Sequence, residues 1–142
     1  MILGLGIDLV EISRMRHAWQ RYGERFAQKI LHPDELAVFL NVGKTGLPKA
    51  GESNSPAGDG ARAVFLASRF AAKEAAVKAL GTGFVPGIWF QDLCVRSLPS
   101  GQPEMLFLNG AAERLLALGA GHSLLSITHS RETAGAVLVL TP

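Results

Sequence analysis

The chain has 142 residues, of which 48% are hydrophobic and 18% charged, and its net charge is +2. This length fits one domain with an ordinary hydrophobic core, and the composition excludes an intrinsically disordered chain. The net charge is too small to indicate a nucleic-acid partner by itself.

The sequence also carries no sign of membrane insertion or export. Its apolar segments are too short to span a bilayer, and no basic region precedes the apolar first residues, which meet Asp8 early. Cys94 is the single cysteine, so the chain forms no intrachain disulfide and no cysteine zinc site. The cytoplasm is the expected location.

The first predicted element is a strand over residues 1–10. Leucine and isoleucine alternate along it from Leu3 to Leu9, which is the period of a half-buried strand. Gly4 and Gly6 lie on the opposite side, where they allow another backbone or a ligand to come close. Asp8 is a poor strand residue that is costly to bury unpaired. It marks either the end of the strand or a site.

Ser13 is a predicted N-cap for a helix that reaches about Tyr22 or Phe26. An apolar stripe on this helix comprises Met15, Trp19, Tyr22 and Phe26. A neighbouring row without acidic residues comprises Arg14, Ala18, Arg21 and Arg25. The row is either a solvated face or a contact surface for an acidic partner.

Pro33 opens a short predicted helix that ends near Leu40. Residues 43–60 are rich in glycine, proline and serine and predict a flexible surface loop within a single domain of residues 1–142. The loop has no Gly-Lys-Ser/Thr order before a helix, so it carries no phosphate-loop signal.

The central helix is predicted to begin near Arg62 or Ala63 and to stop at Gly81, after Leu80. Charged side chains gather on one side of it and alanines are left for packing. Glu74 and Lys78 are four residues apart, so one interpretation is a solvated ion pair of little energy.

The remaining chain predicts a hairpin, a helix and a second hairpin. Their ranges are 89–96 and 104–108 for the first two strands, 111–118 for the helix, and 123–129 and 133–140 for the last two strands. The last strand is apolar on both faces and is predicted to be buried on both. The order predicts an α+β fold with a mainly antiparallel sheet packed against helices.

Two carboxylates, Asp8 and Glu74, suit a hard cation such as Mg²⁺ that is shared with substrate phosphates. Lys73 and Lys78 could take phosphate charge, and glycines follow the helix where backbone could approach a ligand. This set favours phosphoryl transfer. Spacing alone does not bring Asp8 and Glu74 together. The alternatives are a non-catalytic module that captures an acidic protein, and another magnesium-dependent coenzyme A or nucleotide enzyme.

Two segments together resemble the signature of the holo-(acyl-carrier-protein) synthases, the small bacterial phosphopantetheinyl transferases. They read GIDLVEI at residues 6–12 and RFAAKEAAVKA at residues 69–79. The segment SITHS at residues 126–130 is also similar to that family, and the likeness covers nearly the whole chain. The loop at residues 43–60 is longer than the family's usual connection.

The resemblance implies a phosphopantetheinyl transferase-like fold and a magnesium-dependent reaction. A serine of an apo acyl carrier protein attacks the β-phosphate of coenzyme A. The phosphopantetheine arm is transferred, adenosine bisphosphate leaves, and the carrier becomes active in fatty acid synthesis. The resemblance also implies a homotrimer whose sites lie between subunits.

Carried onto this sequence, the resemblance makes Asp8 and Glu74 metal ligands. Glu74, directly or through water, is the candidate for taking the serine proton, and Lys78 would stabilise phosphate charge. The coenzyme A cleft would contain Arg69, Lys73, Gly81, Gly83 and His129. The arginines that would dock the acidic carrier protein are Arg14, Arg21 and Arg25.

Overall fold

The structure is a computed structural model that describes residues 1–42 and 58–142. Its helices are α1 (Ile12–Tyr22), α2 (Glu24–Ile30), α3 (Pro33–Asn41), α4 (Asp59–Ala79) and α5 (Asn109–Ala117). Its strands are β1 (Gly4–Glu11), β2 (Leu93–Ser97), β3 (Pro103–Phe107), β4 (His122–His129) and β5 (Thr133–Thr141). A 3-10 turn at Phe90–Asp92 precedes β2.

Within the described residues the strands form two antiparallel sheets. The larger has the order β1-β5-β4, and the smaller is the β2-β3 hairpin. Helix α4 lies across the larger sheet, where its alanines pack in the main core. The predicted α+β class with a mainly antiparallel sheet is therefore confirmed.

The glycines of β1 determine how closely the strand approaches α4. A Cβ atom added to Gly6 would lie 1.7 Å from the carbonyl oxygen of Ala75, and one added to Gly4 would lie 2.1 Å from that of Ala79. Any larger residue would collide with helix backbone. The prediction that these glycines admit another backbone is confirmed, and that backbone belongs to α4.

The opposite face of the larger sheet is apolar and exposed, which corrects the expectation for β1. Leu5, Ile7 and Leu9 are 61%, 63% and 71% exposed, so the glycine side of the strand faces inward and the leucine side faces outward. The period was predicted correctly, but the buried side was not. On β5, Val137 and Val139 are only half-buried on this outer face, so that strand is not fully buried on both faces.

Several predicted boundaries are also corrected. Helix α1 begins at Ile12 with Glu11 at its N-cap, so Ser13 is inside the helix. Gly23, at φ 62°, ends α1, and Arg25 and Phe26 belong to α2. The 3-10 turn replaces the start of the strand predicted from residue 89.

Helix α4 begins at Asp59, three residues before the earliest predicted start, with Gly58 as its N-cap. The last three residues of the predicted 43–60 loop thus lie at this helix end, and residues 43–57 are outside the described part. No described helix combines the length and the apolar character needed to cross a bilayer.

Candidate active site

Asp8 and Lys78 meet where β1 crosses α4. Lys78 Nζ donates to Asp8 Oδ1 at 2.9 Å and to the carbonyl oxygen of Ile7 at 2.9 Å. Asp8 is paired with Ala136 of β5 near the middle of β1, and β1 packs against α4. The ion pair that Lys78 makes here is therefore with the strand, and not the local pair with Glu74 that helix spacing alone suggests.

Glu74 lies one helical turn before Lys78 on the same side of α4. Partial burial raises the pKa of its carboxyl group, and the negative charge of Asp8 raises it further. The charges of Lys78 and Arg14 act in the opposite direction on this pKa. These couplings indicate that two carboxylates far apart in sequence share one electrostatic environment.

The donor set at this point fits a hard divalent cation. Asp8 and Glu74 offer carboxylate oxygens, which Mg²⁺ prefers, and a bound cation would relieve the repulsion between them. Lys78 is half exposed and lies beside them, in position to face an anionic ligand as well. Of the three residues to which the family resemblance assigns catalysis, Asp8 and Lys78 are in direct contact, and Glu74 is coupled electrostatically to both.

Arg69 and His129 line one cavity of about 360 Å³ near the middle of α4. The guanidinium group of Arg69 lies 4.0 Å from the ring centroid of Phe65, and burial lowers its pKa. Its Nε is buried and lacks a hydrogen-bond partner among the described residues. Arg69 brings a positive charge to this cavity, which suits an anionic ligand.

Lys73 is placed elsewhere, which corrects its assignment to the coenzyme A cleft. Its side chain is 0% exposed. Nζ donates to Glu35 Oε1 at 2.6 Å and to the carbonyl oxygens of Ile30 and Phe90 at 2.6 and 3.1 Å. An ammonium group has three N–H bonds, so none remains for a phosphate. No local pattern in the sequence indicates that Glu35 is its partner.

Gly81 and Gly83 end α4, one turn beyond Lys78. Both have positive φ, 74° and 64°, which favours glycine. The amide of Gly83 donates to the carbonyl oxygen of Val77 at 3.2 Å, and that of Gly81 to Lys78 at 3.0 Å. Their observed role is to terminate the helix. Their proximity to Lys78 agrees with the predicted cleft without testing it.

The predicted docking arginines divide into two places. Arg21 and Arg25 line a cavity of about 560 Å³ together with Tyr22, Phe26 and Lys29, although the helix breaks at Gly23 between them. Arg14 instead lies over the Phe70 ring at 5.5 Å, on the side of α1 that faces Glu74. Lys29 extends the basic surface beyond the residues that the sequence indicated.

A further group of metal-ligand types occurs at the start of α3. Ligand atoms of His32, Asp34 and Cys94 lie within 4.8 Å of one another. The imidazole Nδ1 of His32 already accepts the amide of Asp34 at 3.1 Å as the helix cap, and burial raises the pKa of the Cys94 thiol to about 11. These groups serve the helix cap and the core, and we assign them no metal.

Comparison with known proteins agrees with this geometry. The sequence model of the 4'-phosphopantetheinyl transferase superfamily matches residues 4–136. The holo-[acyl-carrier-protein] synthase of Nitratidesulfovibrio vulgaris (strain DP4) is 45% identical over 140 residues, which cover 99% of this chain and 98% of that protein.

Solved structures are similar over the same length. The holo-[acyl-carrier-protein] synthase of Neisseria meningitidis has a TM-score of 0.81 and 30% identity, with both chains fully covered. The Bacillus anthracis str. Ames synthase, solved in complex with CoA (3',5'-ADP), has a TM-score of 0.70 and 32% identity over 99% of this chain and 96% of that one.

A fold and a site of this kind define a transferase of the phosphopantetheinyl class. The chain belongs to the 4'-phosphopantetheinyl transferase superfamily and, within it, to the holo-[acyl-carrier-protein] synthases. It is therefore an enzyme, and the alternative of a non-catalytic binding module is not supported.

Proposed function

We propose that this enzyme transfers the phosphopantetheine arm of coenzyme A to a serine of an apo acyl carrier protein, in a magnesium-dependent reaction that releases adenosine 3',5'-bisphosphate. The observation that supports the proposal is the contact of Asp8 with Lys78 where β1 crosses α4, with Glu74 one helical turn before Lys78. The holo-[acyl-carrier-protein] synthase of Nitratidesulfovibrio vulgaris and the Bacillus anthracis synthase solved in complex with CoA (3',5'-ADP) support the choice of substrates.

In this mechanism Asp8 and Glu74 hold Mg²⁺, which when bound neutralises charge on the pyrophosphate. Glu74 takes the proton of the serine hydroxyl, directly or through water. The serine oxygen forms a bond to the β-phosphorus, and the bond from that phosphorus to the bridging oxygen breaks. The bridging oxygen leaves with adenosine 3',5'-bisphosphate.

Lys78 has two tasks in this scheme. Without substrate its ammonium group is held by Asp8 and by the carbonyl oxygen of Ile7. With substrate, it turns toward the phosphates and stabilises charge that builds on them. The half-exposed side chain has the freedom to make this change.

Coenzyme A is a long ligand, and α4 offers polar groups along a matching length. Arg69 and Lys78 are nine residues apart, which corresponds to about 14 Å along a helix and about 180° around it, so a ligand that reaches both must pass around α4. We place the anionic adenosine end near Arg69 and His129 and the pyrophosphate near Lys78, with Gly81 and Gly83 beyond it. The cavity that Arg69 and His129 line supports this direction.

The carrier protein docks, we propose, on the surface formed by Arg21, Tyr22, Arg25, Phe26 and Lys29. Three cations surround two aromatic side chains in one cavity. An acidic amphipathic helix fits this arrangement, because its apolar side would cover the aromatics and its carboxylates would meet the cations. Arg14, which lies over Phe70 and acts electrostatically on Glu74, would contact the segment that carries the serine.

We propose further that the enzyme is a homotrimer with sites between subunits. The exposed outer face of the larger sheet supports an assembly: Leu5 pairs with Val139 and Val139 with Leu124, which is itself 59% exposed. Soluble monomers seldom expose a contiguous apolar patch of this kind. The carrier's role in fatty acid synthesis and the cytoplasmic location, with which the free Cys94 agrees, belong to the same proposal.

The decisive assay mixes the protein with coenzyme A, Mg²⁺ and an apo acyl carrier protein, and measures the carrier by mass spectrometry. We expect a mass gain of one phosphopantetheine, and its loss in Asp8→Ala and Glu74→Ala. A matched control is Glu113→Ala, an exposed carboxylate on α5 that should leave transfer unchanged. If the wild-type protein leaves the carrier unmodified, the proposed function is wrong. If both Asp8→Ala and Glu74→Ala still transfer the arm, the assignment of these residues to the site is wrong.

A further inference from the structure

The ion pair of Lys73 with Glu35 is the most enclosed polar contact near the site. Both side chains are at most 1% exposed, and Nζ and Oε1 are 2.6 Å apart. Lys73 also donates to the carbonyl oxygen of Ile30, at the end of α2, and to that of Phe90 in the 3-10 turn. Each N–H of the ammonium group therefore points at a fixed acceptor.

Glu35 is held just as completely. Its Oε1 also accepts the amide of His32 at 2.9 Å, and its Oε2 accepts the amide of Val95 at 3.1 Å. The pair consequently connects α4 with the end of α2, the start of α3, the 3-10 turn and β2. These four attachments come from four different segments of the chain.

Such a pair contributes little net stability, because desolvation of the two charges offsets their attraction. Burial lowers the pKa of Lys73, and Glu35 works against that effect. Around the pair, α4 packs largely through fully buried alanines such as Ala72, Ala75 and Ala76, with Phe70 and Val77 as the larger side chains of this stretch. Alanines permit close approach, but they give a helix few features that resist rotation or sliding.

Rotation of α4 matters because the residue after Lys73 is Glu74. Side-chain tips lie about 5–6 Å from a helix axis, so a rotation of about 10° moves them by about 1 Å. A misplacement of about 1 Å at a reacting group can reduce a rate about 100-fold. Whatever fixes Lys73 against four other segments also fixes the direction of the Glu74 carboxylate toward Asp8.

We infer that Lys73 and Glu35 are positioning residues, whose buried pair sets the rotation of α4 and so holds Glu74 in register with Asp8 across the β1–α4 contact. The catalytic part of this inference rests on the proposed function. The geometric part, the placement of two carboxylates for one cation, does not.

The test compares Lys73→Met, Glu35→Gln and the double variant with the wild type. Three quantities are measured for each: the unfolding midpoint, kcat and KM for coenzyme A in the transfer assay, and Mn²⁺ affinity by electron paramagnetic resonance. Asp8→Asn identifies the Mn²⁺ signal that belongs to the site. Arg96→Met, which breaks an exposed ion pair with Glu104 of the same 2.6 Å length, is the matched control.

We expect Lys73→Met to lower kcat about 100-fold with KM for coenzyme A nearly unchanged, since Lys73 does not line the cleft. Mn²⁺ affinity should fall about 10-fold or more, as it does when groups that orient metal ligands are lost. The double variant leaves no unpaired buried charge, so its unfolding midpoint should recover toward the wild type while kcat and Mn²⁺ affinity stay low. Arg96→Met should change none of these quantities.

Recovery of kcat and Mn²⁺ affinity together with the midpoint in the double variant would overturn the inference, because the pair would then be a matter of stability alone. The same conclusion would follow from wild-type kcat in a folded Lys73→Met. If Lys73→Met does not fold, Glu35→Gln, which preserves side-chain shape, is judged on the same criteria. If the wild type binds Mn²⁺ through Asp8 but transfers nothing, the proposed function fails and Mn²⁺ affinity still decides the inference. If the wild type neither binds Mn²⁺ through Asp8 nor transfers the arm, the proposed function and the inference are both wrong.

Discussion

Gly6→Ala tests whether the close crossing of β1 over α4 assembles the site. The added Cβ would lie 1.7 Å from the carbonyl oxygen of Ala75, whereas ordinary contact begins at about 3.4 Å. Strand and helix must therefore separate by about 1.7 Å. Asp8 is two residues along the strand and Glu74 is next to Ala75, so the two carboxylates move apart by a similar distance.

The expected cost has two parts. Overpacking of this kind lowers the free energy of unfolding by about 1–3 kcal/mol. A displacement of more than about 1 Å should also lower kcat for phosphopantetheine transfer about 100-fold or more in the folded variant. Chemical denaturation measures the first effect, and mass-spectrometric rates on a protein confirmed as folded by circular dichroism measure the second.

Gly60→Ala is the matched control for this substitution. Gly60 is an exposed position in the first turn of α4, where the nearest atom to an added Cβ lies 3.9 Å away. Alanine there should be neutral or stabilising by about 0.4–1 kcal/mol, with transfer unchanged. A Gly6→Ala protein with wild-type stability and rate would refute the reasoning that a backbone-to-backbone contact places Asp8.

Three other predictions concern charge, docking and assembly. The folded protein holds the Glu74 proton more tightly than the unfolded chain does, so the ionised group costs stability at neutral pH but not below its ordinary pKa of 4.5. Glu74→Gln should raise the unfolding temperature at pH 7 without divalent cations, and the gain should shrink toward pH 4. Arg21→Glu with Arg25→Glu should raise KM for the carrier at least 10-fold in steady-state assays and leave the KM for coenzyme A nearly unchanged, because these side chains lie on the docking surface. Leu5→Lys with Leu124→Lys should shift the protein to monomers in analytical ultracentrifugation, since charges would replace the apolar outer face.

Each of these has an opposite outcome that would count against it. A gain from Glu74→Gln that grows toward acid pH would reverse the assigned pKa direction. An equal rise in KM for the carrier and in KM for coenzyme A would show that Arg21 and Arg25 do more than dock the carrier. The choice of Arg25 over Arg14 follows from the structure, since Arg14 acts electrostatically on Glu74 and would confound the result. An unchanged assembly after the leucine replacements would show that another face joins the subunits.

The sequence was a good guide to elements whose signal is local. Alanine content and the glycines after Leu80 predicted α4 and its end, and the apolar alternation of the last two strands predicted their pairing. The pairing of Asp8 with Glu74 came only from the resemblance to a family, and the electrostatic effect of Asp8 on Glu74 agrees with it. Spacing along a chain carries no information on contacts between residues so far apart.

The errors came from contacts between distant segments. Alternation along β1 showed two faces but could not show that the glycine face is the inner one, because this depends on the backbone of α4. Lys73 was taken for a phosphate ligand since lysines are usually exposed, yet Glu35 and two carbonyl oxygens bury it. None of these three partners is near it in sequence.

The uncovered leucines of the larger sheet have a consequence for how the enzyme behaves on dilution. If subunits associate through this face, folding and association are linked by mass action, and the melting temperature should rise with protein concentration. Sites that need two subunits would also lose specific activity as the oligomer dissociates. In β1 the glycines face α4 and the large apolar side chains face outward. This arrangement would make the specific activity depend on the protein concentration.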